Sequence, residues 1–169
     1  MNRIKCYAIF GTLFVIITGT LAHFVYGWTG ENRLIGLFTP VNESIWEHMK
    51  LIFFPMLLFS FYAVIKYNGD RACLISSLCF GILTGTLLIP ALYYAYTSIL
   101  GKGFLIIDIG IFILSTIIAF LTAYKLTLSC RLKTYTLILC ALVCALFVCF
   151  FIFTYNPPDL AIFAEPAAS

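Results

Sequence analysis

Apolar residues run along this chain in long, nearly unbroken blocks separated by short polar breaks. The blocks fall at about 6–28, 45–66, 73–97, 104–124 and 134–155, each near the ~20 residues an α-helix needs to cross hydrocarbon. The pattern predicts an all-α integral membrane protein of five transmembrane helices, forming one polytopic domain over residues 1–169. Residues 29–44 are too short to span and are broken by Gly30, Gly36 and Pro40. They still carry Leu34, Ile35, Leu37 and Phe38, which predicts an interfacial or re-entrant segment between the first two helices. The tail, 156–169, opens with Asn156-Pro157-Pro158 and carries an apolar patch from Leu160 to Ala164. That patch predicts a tail lying along the membrane surface. Pro55 and Pro90 interrupt the second and third blocks and predict bends there. No internal repeat is visible, and five spans do not divide into two inverted halves.

Composition agrees. Of the residues, 63% are hydrophobic and 10% charged, against roughly 45–50% and about 25% in soluble domains. A soluble globular fold and disorder are both excluded. The net charge of +3, without a basic run, gives no reason to expect a nucleic-acid partner.

The distribution of charge says more than its sum. With an odd number of spans the termini lie on opposite sides. One side holds Arg3, Lys5, Lys66, Arg71, Lys125, Arg131 and Lys133, with Asp70 as its single acid. The other side holds Arg33, Lys50 and Lys102 against Glu31, Glu43, Glu47, Asp159 and Glu165. The positive-inside rule then predicts a cytoplasmic N-terminus and an outer C-terminus. A basic start before the first apolar block also fits a signal peptide, with Thr20-Leu21-Ala22 as a weak cleavage site. The block continues through Phe24, Val25, Tyr26 and Trp28, which favours a retained helix ending in an aromatic belt.

Seven cysteines are present, none in an outer segment. They are expected as small apolar packing residues, unpaired, since no CxxC or zinc spacing occurs. Ser77, Gly81 and Gly85 form a small-residue stripe on the third span. Such a stripe suits close helix packing, within the chain or in a homo-oligomer.

Ionisable residues inside a span cost roughly 2.5–3.5 kcal/mol each on insertion scales, so their positions carry information. At ~1.5 Å per residue, His23, His48 and Asp108 all lie roughly 6–8 Å inside the outer ends of their helices. Tyr93 and Tyr94 reach the same level. Around the start of the second span stand Asn42, Glu43, Ser44, Glu47, His48 and Lys50. Helical spacing puts Glu43, Glu47 and Lys50 on one face and Ser44 and His48 on the adjacent one. Ser44-Ile45-Trp46-Glu47 also reads as a capping box, and Asn42-Glu43-Ser44 formally matches a glycosylation sequon.

Three chemistries fit this polar layer. His23, His48 and Asp108 are candidate ligands of a divalent metal such as zinc, with Glu47 as general base. Ser44 and His48 form a candidate nucleophile and base, oriented by Asp108 or Glu47. The titratable groups also suit proton or ion handling. The functional expectation is therefore an outer-side site that binds or hydrolyses a lipid or small polar molecule. A transport or ion-coupling subunit and a structural or assembly protein stay open beside it.

Residues 23–28, His-Phe-Val-Tyr-Gly-Trp, and 36–51, ending Pro-Val-Asn-Glu-Ser-Ile-Trp-Glu-His-Met-Lys-Leu, with Phe54-Pro55 after them, form a distinctive pattern. The pattern resembles an uncharacterised family of small bacterial integral membrane proteins. The resemblance is dense over residues 23–55 and extends to the Asn156-Pro157-Pro158 ending. It implies a bacterial cytoplasmic-membrane protein and draws attention to residues 42–50, with no activity attached.

Overall fold

A computed structural model describes residues 3–165. The described chain is helical: α1 (Arg3–Trp28), a one-turn α2 (Arg33–Gly36), α3 (Ile45–Lys66), α4 (Arg71–Leu100), α5 (Leu105–Ser129) and α6 (Thr136–Phe153). Short 3-10 turns occupy Lys133–Tyr135 and Ala161–Phe163. All but α2 are long and apolar enough to cross a membrane. Their exposed faces are apolar too, with Phe10, Ile17, Ile65, Ile106 and Leu137 all open on the outside of the bundle. That is the surface a lipid-facing helix requires.

Local chemistry sets the helix ends. Ser44 caps α3 by accepting the Glu47 N–H through Oγ. Asp70 caps α4, accepting the N–H groups of Ala72 and Cys73. Gly101 ends α4 in the left-handed conformation at φ 76°, where glycine carries no Cβ penalty. Pro55 and Pro90 lie inside unbroken helices. On α1 the hydroxyls of Thr12, Thr18 and Thr20 each donate to the carbonyl four residues earlier. These weakly polar residues are thus satisfied within their own helix.

Helices α1, α3, α4 and α5 form a ring in which α1 packs on α3 and α5, and α4 packs on the same two. Helix α6 lies outside, against α4, and its Phe147 and Phe150 rings meet Phe53 and Phe54 of α3. The core centres on α3 and α4, where Ile52, Phe53, Met56 and Ile82 are almost fully buried.

One expectation needs correction. The cysteines are not all unpaired: Cys73, near the start of α4, is disulfide-bonded to Cys130, the C-cap of α5. Sequence spacing gave no sign of it because the partners lie 57 residues apart and the α4–α5 hairpin brings them together. The stripe of Ser77, Gly81 and Gly85 faces inward. A Cβ on Gly81 would stand 2.8 Å from the Ala119 carbonyl oxygen, and one on Gly85 2.7 Å from the Ala119 Cβ. The stripe therefore packs on α5 of the same chain, the within-chain packing that small residues allow. The tail packs on the end of the bundle. Phe163 packs on Trp46 and Phe153, with ring centroids 4.9 and 5.6 Å away.

At the cysteine end, Asp70 also accepts from Lys133 Nζ at 2.6 Å. This bond is the main cause that holds the Asp70 carboxyl below its ordinary value. A lowered folded value means stability that is present above the unfolded value of 3.8 and lost as pH falls through the folded one. Acid is expected to loosen this end of the bundle, and Asp70→Asn is expected to flatten that part of a stability-versus-pH curve. The effect is small because the pair is solvent-exposed.

Candidate functional site

The opposite end of the four-helix ring holds a cavity of about 130 Å³, roughly ten times the ~10–15 Å³ that one water needs. Its polar lining comes from every element of the ring: His23 of α1, Glu43 just before α3, His48 of α3, Tyr93 of α4 and Asp108 of α5. Leu51, Ile89 and Phe112 supply apolar lining. Equal depth in the sequence thus corresponds to lateral convergence for His23, His48, Tyr93 and Asp108.

The turn before α3 decides how its polar residues divide. Asn42 Oδ1 accepts the Ser44 N–H at 3.0 Å, a local turn that competes with helix. Residue 43 therefore lies outside α3, and its side chain does not follow the helical face of Glu47. Glu43 turns to the histidines: its carboxylate oxygens stand 3.8 Å from His23 Nε2 and 3.4 Å from His48 Nε2. The Glu43 side chain is 66% exposed, so the cluster opens to solvent there.

Glu47 and Lys50 do something else. Lys50 is 0% exposed and Glu47 2%. Lys50 Nζ donates to Glu47 Oε2 at 2.6 Å, to Thr154 Oγ1 at 2.7 Å and to the Gly36 carbonyl at 2.9 Å. The same Glu47 oxygen accepts the Val41 N–H at 3.0 Å. The pair clamps the 29–44 segment to α3 and to the end of α6. Tyr155 adds a bond from its hydroxyl to the Arg33 carbonyl, and Phe38 packs on Phe54 and Phe151. The expected role of Glu47 as general base does not fit this geometry, because its carboxylate is buried in the clamp and does not line the cavity. Lys50 is likewise absent from the cavity lining.

Ser44 also departs from its expected role. Its side chain caps α3, it is 1% exposed, and His48 bonds to its main chain. His48 Nδ1 lies 2.9 Å from the Ser44 carbonyl oxygen. A carbonyl can only accept, so Nδ1 carries the proton and donates it. The imidazole is then turned away from the Ser44 hydroxyl, and the nucleophile–base pair is not assembled.

Asp108 lines the cavity, and its Oδ1 accepts from the Tyr96 hydroxyl at 2.5 Å. Tyr96 in turn accepts the Phe104 N–H at 3.1 Å. Tyr96 is the polar partner that sequence reasoning passed over, although the close run of Tyr93, Tyr94 and Tyr96 on α4 was visible. Tyr94 packs edge-on against Tyr93 and does not line the cavity.

The ligand atoms of His23, Glu43 and His48 all lie within 4.8 Å of one another. Glu43 therefore takes the position beside the two histidines that the sequence reading assigned to Asp108. A second such group, Asp70 with Cys73 and Cys130, lies at the other end of the bundle. Its two sulfurs are bonded to each other and its carboxylate is held by Lys133.

A family of unknown function (DUF6512) matches residues 1–169, the whole chain. The chain belongs to that family. No curated protein and no solved structure matches it. Membership in DUF6512 agrees with the resemblance read from residues 23–55 and supplies no activity, so function has to be argued from the cavity.

Proposed function

We propose that this is a multi-pass protein of the bacterial cytoplasmic membrane, N-terminus inside, whose outer-side cavity binds and hydrolyses a lipid headgroup or other small polar molecule. One observation carries the reading: five polar side chains from separate parts of the chain line one cavity at one end of an otherwise apolar bundle. Such groups are costly to place inside a membrane and favour a functional site. The orientation rests on the seven basic residues from Arg3 to Lys133 at the other end, and it runs against the Cys73–Cys130 bond at that end, since disulfides are rare on the cytoplasmic side. The clamp formed by Glu47 and Lys50 supports a 29–44 segment that folds back beside α3 on the outer side.

The chemistry is general-base hydrolysis. A carboxylate or imidazole takes a proton from water, the water oxygen bonds to the acyl or phosphoryl centre, and the leaving oxygen receives a proton. Asp108, held by Tyr96, is the base on one side of the cavity. On the other side His23 and His48 face the substrate, with Glu43 orienting the imidazoles. Leu51, Ile89 and Phe112 form the apolar wall that would take the substrate's less polar part. A second reading, transport or ion coupling, has one observation in its favour. Thr86 and Ser115, whose buried hydroxyls have no hydrogen-bond partner, lie about one turn deeper than Ile89 and Phe112.

Native mass spectrometry of the protein released with its own membrane lipids tests the main reading. The expected result is a bound lipid or polar molecule on the wild type that is lost from Asp108→Leu, with the variant still monodisperse. The reading fails if no adduct is seen, or if the adduct persists in both Asp108→Leu and His48→Leu.

A further inference from the structure

The contact between His48 and Glu43 poses a problem of charge. Because Nδ1 of His48 donates to the Ser44 carbonyl, the Nε2 of a neutral ring carries only a lone pair. That lone pair faces a carboxylate oxygen at 3.4 Å. Two acceptors at this distance repel unless a proton or a cation lies between them. His23 compounds the problem. Its Nδ1 is buried without a hydrogen-bond partner, and its Nε2 stands 3.8 Å from the other Glu43 oxygen. The two rings, with centroids 5.3 Å apart, thus aim at one carboxylate, and His23 has no hydrogen bond to explain its placement. A proton on His48 Nε2 would satisfy that contact alone and leave His23 without a hydrogen bond, while protonating both rings would set two cations side by side.

We propose that His23, His48 and Glu43 form a binding site for one divalent transition-metal ion of zinc type, with the fourth position open to the cavity. The inference rests on the cavity reading above and names the cofactor of that site. A single ion neutralises the facing lone pairs and gives Nε2 of His23 a partner, while Nδ1 of His23 stays unpartnered. The geometry suits it. Bonds of about 2.0–2.2 Å in a tetrahedral site give ligand-to-ligand edges of roughly 3.3–3.6 Å. The His48–Glu43 distance of 3.4 Å lies in this range, the 3.8 Å from His23 is to the other carboxylate oxygen, and all three ligand atoms lie within 4.8 Å of one another, so the site must contract to close on one ion. His48 also has outer support. A metal-bound histidine commonly donates its other N–H to a backbone carbonyl, fixing tautomer and ring angle, which is what the Ser44 carbonyl does for His48. Two imidazoles and one carboxylate with an open position match catalytic rather than structural zinc sites. Asp108, held by Tyr96, lines the cavity without belonging to the ligand group. It is a base for substrate chemistry, not a ligand.

The test uses the full chain, purified in detergent, stripped with EDTA and reloaded with zinc(II) or cobalt(II). Bound metal is then counted by plasma mass spectrometry. The wild type is expected to retain about one ion per chain and to show the visible bands of four-coordinate cobalt. His23→Ala, His48→Ala and Glu43→Gln are expected to weaken zinc binding by about 100-fold or more. Asp108→Asn is expected to keep the ion, and so is the Cys73→Ser/Cys130→Ser double variant, which removes the other candidate group. Gel filtration confirms that each variant is folded. The proposal is overturned if the reloaded wild type holds no ion, or if the ion survives in both histidine variants. Absence of metal alongside a persistent organic adduct would overturn the metal site and leave the cavity reading standing. Metal without an adduct would do the reverse.

Discussion

Lys50→Met is expected to destabilise the protein by about 3–5 kcal/mol, the cost of removing one partner from a buried ion pair. The cause is Glu47, which the change leaves as a buried carboxylate without its cation. Lys50 is fully enclosed, and its ammonium satisfies Glu47, Thr154 and the Gly36 carbonyl together. Losing it therefore frees the 29–44 segment and the end of α6 as well as the carboxylate. The double variant Glu47→Gln/Lys50→Met is expected to regain much of the loss, because the uncompensated charge is gone. Thermal unfolding in detergent, followed by fluorescence-detected gel filtration, measures both. A single variant as stable as the wild type would contradict the clamp.

Gly81→Leu is expected to be the second severe change, with overpacking of about 1–3 kcal/mol or more. Even a Cβ at this position would press on the Ala119 carbonyl oxygen, the Met56 methyl and the Ala123 Cβ. The first of these is backbone and cannot rotate away. Gly85→Val should behave alike, since its Cβ would meet that of Ala119. The melting temperature should fall while the oligomeric state in detergent stays unchanged. A stripe that instead served a dimer would show the opposite pattern, a stable monomer with lost association.

Both predictions depend on contacts between residues far apart in sequence. The helices themselves did not. The second span was read as 45–66, and the helix runs Ile45–Lys66. Apolar block length is a local property, and a bilayer demands that backbone groups be satisfied within each segment. Half of the capping box was legible for the same reason: Ser44 accepts the Glu47 N–H, but the Ser44 N–H goes to Asn42 and the Glu47 carboxylate to Val41 and Lys50. The ends read less well on α4, which reaches Leu100 against an expected 97, because Gly101 rather than the hydropathy pattern stops it.

The site was legible in depth and not in direction. Counting residues from the helix ends placed His23, His48 and Asp108 on one level, and all three line one cavity. Helical spacing then put Glu43 with Glu47 and Lys50, and here it misled. Asn42 takes the Ser44 N–H, so residue 43 lies before the helix begins and its side chain turns to the histidines. Tyr96 was passed over because its bond to Asp108 crosses from α4 to α5.

The sequence by itself determined that this chain is a bundle of five apolar helices, which end carries the basic residues, and at what level the ionisable groups lie. Each of these depends on properties summed along a single segment: hydropathy, charge count and rise per residue. Only the tertiary structure decided which polar groups meet. It sent Glu47 and Lys50 into a sealed clamp, Glu43 to the two histidines, Cys73 to Cys130, and the Gly81 stripe against α5. Those choices depend on rotations and crossings between helices, and no local pattern records them. In a bilayer, where helix faces are almost uniformly apolar, hydrophobic burial does little to set those rotations. Close packing at small residues and the pairing of the few polar groups set them instead.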